Sequence, residues 1–360
     1  MRKAKHLQQR SCPMKIAQVA PLCERVPPRL YGGTERVVAF LTDELVKQGH
    51  EVTLFASGDS DTLATLAPVC ERAQRLDGRS DFLAEHVLMV EQVAKRAGDF
   101  DLIHFHISHV HFATARRLPT PHVTTLHGRL DLPELVPLYR EYRDLPMVSI
   151  SDAQRQPLPH AGWVGTVHHG LPFDLLRFQP EAGDYLAFVG RISPEKRVDR
   201  AIAIATAAGC PLRIAAKVDA ADREYFDHDI RPLLDNPLIN FVGEIGEAEK
   251  GAFVGGARAL LFPIDWPEPF GLVQIEALAC GTPVIAFRGG SVQEILEPGV
   301  TGFIVDSVAE AVDAVGRLDQ ISRRTCREVF ERRFSVQRMA LDYVRIYEAL
   351  AGVPARNLVA

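Results

Sequence analysis

The sequence has no apolar run close to the roughly 18 residues that a membrane-spanning helix needs. Its six cysteines, at positions 12, 23, 70, 210, 280 and 326, lie far apart and form no C-x-x-C pair. This spacing favours neither a disulfide framework nor a structural zinc site, and it suits the reduced cytosol. No apolar segment follows the basic opening MRKAKHLQQR, which argues against a secretory signal. We therefore expect a cytoplasmic protein, and contact with the inner face of a membrane stays open.

Two common nucleotide-binding loops are also missing. None of the 26 glycines stands two positions from another, so the sequence lacks the G-x-G core of the dinucleotide fingerprint. No glycine is followed by lysine, which excludes the phosphate-binding loop G-x-x-x-x-G-K-[ST]. Any nucleotide must therefore bind through a different arrangement of residues.

Length and charge limit the architecture and the partners. With 360 residues, 47% of them hydrophobic, the chain is too long for one ordinary core and too apolar to be disordered. The 41 Lys and Arg against 46 Asp and Glu give a net charge of −5, which does not favour binding to nucleic acid. These values predict two domains and no nucleic-acid partner, and they leave the oligomeric state unknown.

From Met14 onward, short apolar runs alternate with amphipathic segments of helical length. This alternation predicts an α/β fold with two doubly wound parallel sheets, which bind ligands at the carboxyl ends of their strands. We predict strands at residues 15–20, 51–56, 101–105, 121–126, 146–150, 185–190, 211–215, 238–242, 258–262, 283–287 and 303–305. Helices are predicted at residues 34–48, 82–97, 194–208, 222–235, 247–256, 271–280, 291–297, 308–317, 320–332 and 336–350.

Proline and glycine are concentrated in residues 153–183, which predicts the crossing between the two domains. The first domain is expected to span residues 14–172 and the second residues 173–335, with a closing helix in residues 336–360. Residues 1–13 are expected to be a disordered tail, or to precede a start at Met14.

Residues 188–197, FVGRISPEKR, place two cations directly after a predicted strand. A helix starting at Ser193 and Pro194 would carry Lys196 in its first turn, where the free N–H groups favour acidic side chains. Arg191, Lys196 and those N–H groups would together form a diphosphate pocket. Solvated basic residues on a surface turn would explain the same pattern.

Residues 265–287, DWPEPFGLVQIEALACGTPVIAF, predict a nearly apolar helix that carries one carboxylate, Glu276. A buried carboxylate needs hydrogen-bond donors, and the diol of a sugar supplies two. Glu268 lies between two prolines just before this helix, where it would meet a ligand whose phosphate sits at the helix N-terminus. The alternative is a core helix whose glutamate finds its partners within the protein.

The first half of the chain contributes two shorter motifs, LYGGTERVV at residues 30–38 and TTLHG at residues 124–128. Gly32 and Gly33 would let the backbone approach a ligand closely, and His127 falls at the carboxyl end of a predicted strand. An ordinary turn and a structural histidine are the alternatives.

Metal binding is the alternative function for the histidine run HFHISHVH, residues 104–111, and for two D-x-D pairs, residues 59–61 and 227–229. No carboxylate or cysteine joins the histidines at the spacing of metal ligands, and acids beside a strand or early in a helix are ordinary. We therefore predict no metal and no other cofactor.

Taken together, four motifs resemble those of the retaining glycosyltransferases of family four, the glycogen-synthase-like and sucrose-synthase-like group. They are GGTE after the first strand, the strand-end H-G, V-G-R-x-x-x-x-K and E-P-F-G-L-V-x-x-E-A-x-A-C-G-T-P-V-I-A. The resemblance covers nearly the whole chain from Met14. It implies the GT-B fold, in which two Rossmann-like domains face a central cleft. Residues 14–172 would hold the acceptor, residues 173–335 the nucleotide sugar, and the helix in residues 336–360 would cross back to the first domain.

The resemblance also implies roles for individual residues. Arg191 and Lys196 would hold the diphosphate of the donor, and Glu276 its ribose. The catalytic residues would be His127, Arg191, Lys196 and Glu268; the donor-binding residues Gly33, Val242, Gly243, Phe270, Gly271, Leu272 and Glu276; and the acceptor-side residues Gly32 and Thr34. The loop at residues 21–31 is longer and richer in arginine and proline than the family pattern needs, so acceptor specificity is not implied.

The sequence therefore predicts a metal-independent, retaining glycosyltransferase that moves a hexose from a nucleoside-diphosphate sugar to a cellular acceptor. The acceptor, whether a carbohydrate, a lipid-linked compound or a small molecule, is not determined, and neither are the donor base and the sugar. Two alternatives stay open: a nucleotide-sugar epimerase or hydrolase on the same scaffold, and a non-catalytic protein that binds sugar nucleotides.

Overall fold

The computed structural model describes residues 13–29, 32–75 and 81–352. These residues form two parallel sheets, one of seven strands and one of six, with helices between most successive strands. The two doubly wound sheets predicted from the sequence are thereby confirmed. Of the expected N-terminal tail, only Pro13 belongs to the described residues. None of the helices in these ranges has the length and apolar character needed to span a bilayer.

The first sheet has the strand order β3-β2-β1-β4-β5-β6-β7, and every neighbouring pair is parallel. Its strands are β1 (Lys15–Val19), β2 (Glu51–Ser57), β3 (Thr65–Cys70), β4 (Leu102–Phe105), β5 (His122–Thr125), β6 (Met147–Ser149) and β7 (Trp163–Thr166). Its helices are α1 (Gly33–Lys47), α2 (Leu83–Lys95), α3 (Phe112–Ala115), α4 (Leu135–Glu141) and α5 (Asp152–Arg155). The order reverses between β1 and β4, so the loops after these strands diverge and leave a crevice.

The second sheet has the order β10-β9-β8-β11-β12-β13, again all parallel. Its strands are β8 (Leu186–Arg191), β9 (Leu212–Lys217), β10 (Ile239–Gly243), β11 (Ala259–Phe262), β12 (Val284–Phe287) and β13 (Gly302–Val305). Its helices are α6 (Val198–Ala207), α7 (Arg223–Tyr225), α8 (Glu247–Gly255), α9 (Leu272–Cys280), α10 (Val292–Ile295), α11 (Val308–Val315) and α12 (Arg323–Arg333). The order reverses here between β8 and β11.

Continuous apolar strands explain why both sheets are covered on both faces. All four residues of β4, β11 and β12 are buried. Separate hydrophobic clusters flank the first sheet, and one large cluster surrounds the second. Because the strands are covered on both faces, their residues reach the surface only at the strand ends.

The last helix, α13 (Val336–Leu350), packs against the first sheet although it follows the second one in the chain. Its side chains Met339, Tyr343 and Tyr347 are buried beside Ile16 of β1 and Leu41 of α1. The chain therefore returns from the second domain to the first through α13.

Two strands were not predicted, and both lie at the edges of the first sheet. The strand β3 is half-buried and contains Pro68, while β7 exposes Val164. Edge strands need fewer apolar residues than central ones, so their sequence signal is weak.

The helix predicted at residues 194–208 starts later than expected. Residues Pro194–Lys196 form a single 3₁₀ turn, Arg197 takes a left-handed conformation with φ of 54°, and α6 begins only at Val198. Lys196 therefore precedes the helix instead of lying in its first turn. The segment predicted as one helix at residues 222–235 is divided into α7, a π-helical turn and a 3₁₀ turn.

Candidate active site

A cavity of about 450 Å³ lies in the cleft between the two sheets. The start of α1 and the residues after β5 form one wall, and the ends of β8, β9 and β11 with the start of α9 form the other. Eleven of the thirteen predicted site residues line it: Gly32, Gly33, Thr34, His127, Arg191, Lys196, Glu268, Phe270, Gly271, Leu272 and Glu276. Residues far apart in the sequence thus meet at the edge where parallel strands end.

The other two predicted residues, Val242 and Gly243, do not line the cavity. The strand β10 is irregular between Phe241 and Gly243, and Val242 is exposed. The cavity wall begins with the next residues, Glu244 and Ile245. A local irregularity at an edge strand cannot be read from the apolar pattern, so the sequence does not show which residue after β10 reaches the cavity.

The two cations assigned to the diphosphate each contact a carboxylate. Arg191 donates from Nη2 to Oε1 of Glu195 over 2.7 Å, and Lys196 forms an ion pair with Glu268. The Nζ atom of Lys196 also lies 4.9 Å from the centre of the Trp266 ring. The positive charge after β8 is therefore balanced within the protein, and an incoming diphosphate would compete with the two glutamates.

The start of α9 is built so that only glycine fits at position 271. Gly271 has φ of 75°, and a Cβ there would lie 2.8 Å from the Phe262 ring. The first residues of α9 line the cavity, and the first N–H groups of a helix have no partner within it. Free N–H groups at a helix start suit an anion, and this is the helix start at which the sequence predicts a phosphate next to Glu268.

The carboxylate of Glu276 is buried and has partners from both domains. The Nζ atom of Lys250 donates to its Oε1 atom over 2.8 Å, and Nη1 of Arg36, from α1 in the other domain, lies 3.7 Å away. Arg36 and Lys250 also pair with Glu247. Glu276 thus finds its partners within the protein, as the alternative interpretation of this helix held, and it still lines the cavity.

His127 lies just beyond β5, and its ring stacks on that of His169 with 5.4 Å between the centres. Burial lowers the pKa of His127 to about 3, so its imidazole is neutral. The Nδ1 atom of His127 is buried without a hydrogen-bond partner among the described residues. The ring can therefore offer a neutral hydrogen-bonding group to a ligand.

Three histidines of the run, His104, His106 and His111, are buried in the first domain and hydrogen-bonded to Tyr, Thr, Gln or His side chains, whereas His109 is exposed. In residues 13–29, 32–75 and 81–352, no three His, Cys, Asp or Glu side chains are grouped to hold a metal ion.

A buried carboxylate marks the wall formed by α1. Glu35 lies in the first turn of this helix, beside Gly32 and Thr34. Burial, with a smaller contribution from the nearby Glu24, raises the pKa of Glu35 to about 7. Gly32 has φ of 155°, and a Cβ there would lie 2.8 Å from Pro28, so the turn before α1 is tightly packed.

Several charged residues that line the cavity were missed in the sequence. They include Arg36, Lys217, Glu247 and Lys250. Lys217 ends β9, so the rule that functional residues follow parallel strands would have found it. Arg36 stands three positions after the Gly-Gly pair, whereas Lys250 has no local signal because only tertiary contacts bring it to Glu276.

Two family models match the chain. The model described as "Glycosyl transferases group 1" matches residues 177–329, and that described as "Glycosyltransferase Family 4" matches residues 31–209. Together they extend over most of both domains. An uncharacterized glycosyltransferase of Methanocaldococcus jannaschii is 25% identical over 93% of this chain and 98% of its own.

Solved structures are similar over nearly the same extent. AviGT4, a glycosyltransferase involved in avilamycin A biosynthesis, has a TM-score of 0.72 and 26% identity over 95% of this chain and 99% of its own. HepE from Anabaena, solved in complex with UDP and glucose, has a TM-score of 0.72 and 17% identity over 94% of this chain and all of its own. The motifs, the two facing sheets and these matches agree: the chain is a glycosyltransferase of the GT-B fold and belongs to family 4.

Proposed function

We propose that this glycosyltransferase moves a hexose from a nucleoside-diphosphate sugar to a cellular acceptor, with retention of the anomeric configuration and without a metal ion. One observation carries the proposal. A single cavity, which faces His127, is lined by Arg191, Lys196, the start of α9 and Glu276. The structure of HepE with UDP and glucose supports a nucleotide-sugar donor for a chain of this fold.

In this proposal the bound donor replaces one partner in ion pairs that the protein already contains. The diphosphate binds Arg191, Lys196 and the N–H groups of α9, and so takes Lys196 from Glu268. Glu268 keeps its hydrogen bond from Nε1 of Trp266, 3.0 Å away, and becomes available to hydroxyl groups of the sugar. The ribose diol donates to Glu276, which keeps its ion pair with Lys250.

The chemistry then depends on charge that develops on the leaving group. As the bond between the anomeric carbon and the phosphate oxygen breaks, Arg191, Lys196 and the helix N–H groups stabilise the nucleoside diphosphate. These groups supply the stabilisation that a metal ion gives in other transferases. The acceptor oxygen attacks the anomeric carbon from the face that the phosphate leaves, and a phosphate oxygen takes the acceptor's proton.

The first part of the test is a binding experiment. UDP, GDP, ADP and their sugars are added to the wild type, to Arg191→Ala with Lys196→Ala, and to the control Arg288→Ala, which removes an exposed arginine outside the cavity. The wild type and the control should gain thermal stability with one nucleotide series. The double variant should bind about 100-fold more weakly, as expected for two lost charge-assisted hydrogen bonds. Unchanged affinity in the double variant would refute the diphosphate assignment.

The second part identifies the reaction with the donor found in this way. Incubation with a panel of carbohydrate, lipid-linked and small-molecule acceptors should yield a product whose anomeric configuration, measured by NMR, matches the donor. The rate should be the same before and after treatment with EDTA. An inverted product, or activity that returns only with added divalent metal, contradicts the corresponding part of the proposal. Free or epimerised sugar formed without acceptor would favour the hydrolase or epimerase alternative.

A further inference from the structure

The proposed function uses His127 but not the histidine run behind it. These two features are joined by buried hydrogen bonds. Nε2 of His127 lies 2.9 Å from Nδ1 of His106, and Nε2 of His106 lies 2.8 Å from Oε1 of Gln18. The amide nitrogen of Gln18 donates to the hydroxyl of Tyr347, on α13, over 3.3 Å. Gln18, His106 and Tyr347 are all buried, so these contacts connect the cleft to the helix that crosses between the domains.

The direction of each hydrogen bond follows from the chemistry of the groups. The amide oxygen of Gln18 can only accept, so Nε2 of His106 carries the proton and donates it. Burial, together with the neighbouring histidines, holds the pKa of His106 well below its usual range, so the ring is neutral and has one N–H. Its Nδ1 atom must therefore accept, and Nε2 of His127 must donate.

The other contacts of the network agree with this direction. The Tyr347 hydroxyl accepts from Gln18 and donates to Nδ1 of His104 over 2.6 Å, and Nε2 of His104 donates to Thr125 over 2.7 Å. At the far end, the unpartnered Nδ1 of His127 is left as an acceptor. The opposite direction would bury an N–H group without a partner there, and such groups are rarer in proteins than unpartnered acceptors.

We propose that Gln18 and His106 are positioning residues that hold His127 in the tautomer protonated at Nε2, so that its Nδ1 atom accepts a hydrogen bond from a hydroxyl of the transferred sugar. The proposal rests on the proposed function, in which the donor sugar occupies the cavity that His127 lines. It assigns His127 to orienting the donor, and proton transfer stays with the phosphate oxygen.

The tautomer can be measured without any substrate. Nitrogen-15 NMR of the imidazoles in the full-length protein, with the His127 signals assigned by their loss in His127→Asn, should show the proton on Nε2. In Gln18→Leu, His106 loses the acceptor that orients it, and the His127 signals should shift toward the other tautomer. A wild-type His127 protonated at Nδ1, or signals that Gln18→Leu leaves unchanged, would overturn the proposal.

Kinetics with the donor provide the second readout. His106→Leu should lower kcat by about 10- to 100-fold with little change in KM, the loss expected when one buried hydrogen bond in the transition state is no longer made. His106→Asn keeps an amide oxygen that can accept from His127 and should recover most of that loss.

The matched control is His111→Leu. His111 is buried in the same segment and bonded to Thr124, but it does not contact His127. Its removal should lower thermal stability and leave kcat unchanged. An equal loss of kcat in His111→Leu, or no recovery in His106→Asn, would reduce His106 to a structural role. If no donor is turned over at all, the proposed function fails, and the NMR measurement still decides the tautomer.

Discussion

The carboxyl group of Glu35 should make the stability of the protein fall as the pH rises through the weakly acidic range. Its ordinary pKa is 4.5, and burial raises it to about 7 in the folded chain. Between these values the folded state holds a proton that the unfolded state releases. The protonated carboxyl thus stabilises the fold fully below pH 4.5, and this contribution is lost as the pH rises to about 7.

Replacing Glu35 by glutamine keeps the shape of the protonated carboxyl and removes its titration. At about 1.4 kcal/mol for each pH unit, Glu35→Gln should stabilise the folded state by about 3 kcal/mol at pH 8 and by about 1 kcal/mol at pH 5. For a domain of this size, the difference of about 2 kcal/mol corresponds to about 4–8 °C in Tm.

Scanning calorimetry of the wild type and the variant at both pH values measures this effect. The control is Glu44→Gln, which makes the same change of charge on another buried residue of α1 and corrects for the altered net charge. If Glu35→Gln raises Tm equally at pH 5 and pH 8, or lowers it at pH 8, the carboxyl is not held protonated by burial.

Two further predictions concern the cleft. Gly271→Ala forces a Cβ to within 2.8 Å of the Phe262 ring at a left-handed φ, so it should lower the free energy of unfolding by about 1–3 kcal/mol in calorimetry. Gly33→Ala, whose Cβ would meet only Leu272 at 3.5 Å, is the control, and equal Tm values for both variants would contradict the strain. The ion pair between Arg36 and Glu247 joins the two domains, so a double-mutant cycle of Arg36→Met and Glu247→Gln in denaturant should give a coupling of about 1–2 kcal/mol, and strictly additive effects would show that the pair does not hold the domains together.

Much of the architecture could be predicted because the relevant information is local. Central strands such as β1 and β12 are short apolar runs, and most of the helices have amphipathic spacing and clear ends. The parallel arrangement also places the residues that follow the strands at one edge, which is why Arg191 and His127 could be assigned to one cleft before their positions were known.

Other features depend on contacts that no local pattern encodes. The edge strands β3 and β7 pair on one side only and need little apolar sequence, and the left-handed residue Arg197 moved the start of α6 past Lys196. The strand β10 is irregular between Phe241 and Gly243, and the cavity wall begins just after it, at Glu244.

The charged residues of the cleft show most clearly which features the sequence determines and which depend on the folded structure. The amino-acid order predicts where Arg191, Lys196 and Glu268 lie, because each follows a strand or precedes a helix. Which of them pair depends on the folded chain: Lys196 meets Glu268 across 72 positions, and Arg36 meets Glu247 across 211. Ion pairs form through space, and their strength depends on distance and burial, which arise only when the two sheets and α13 pack together.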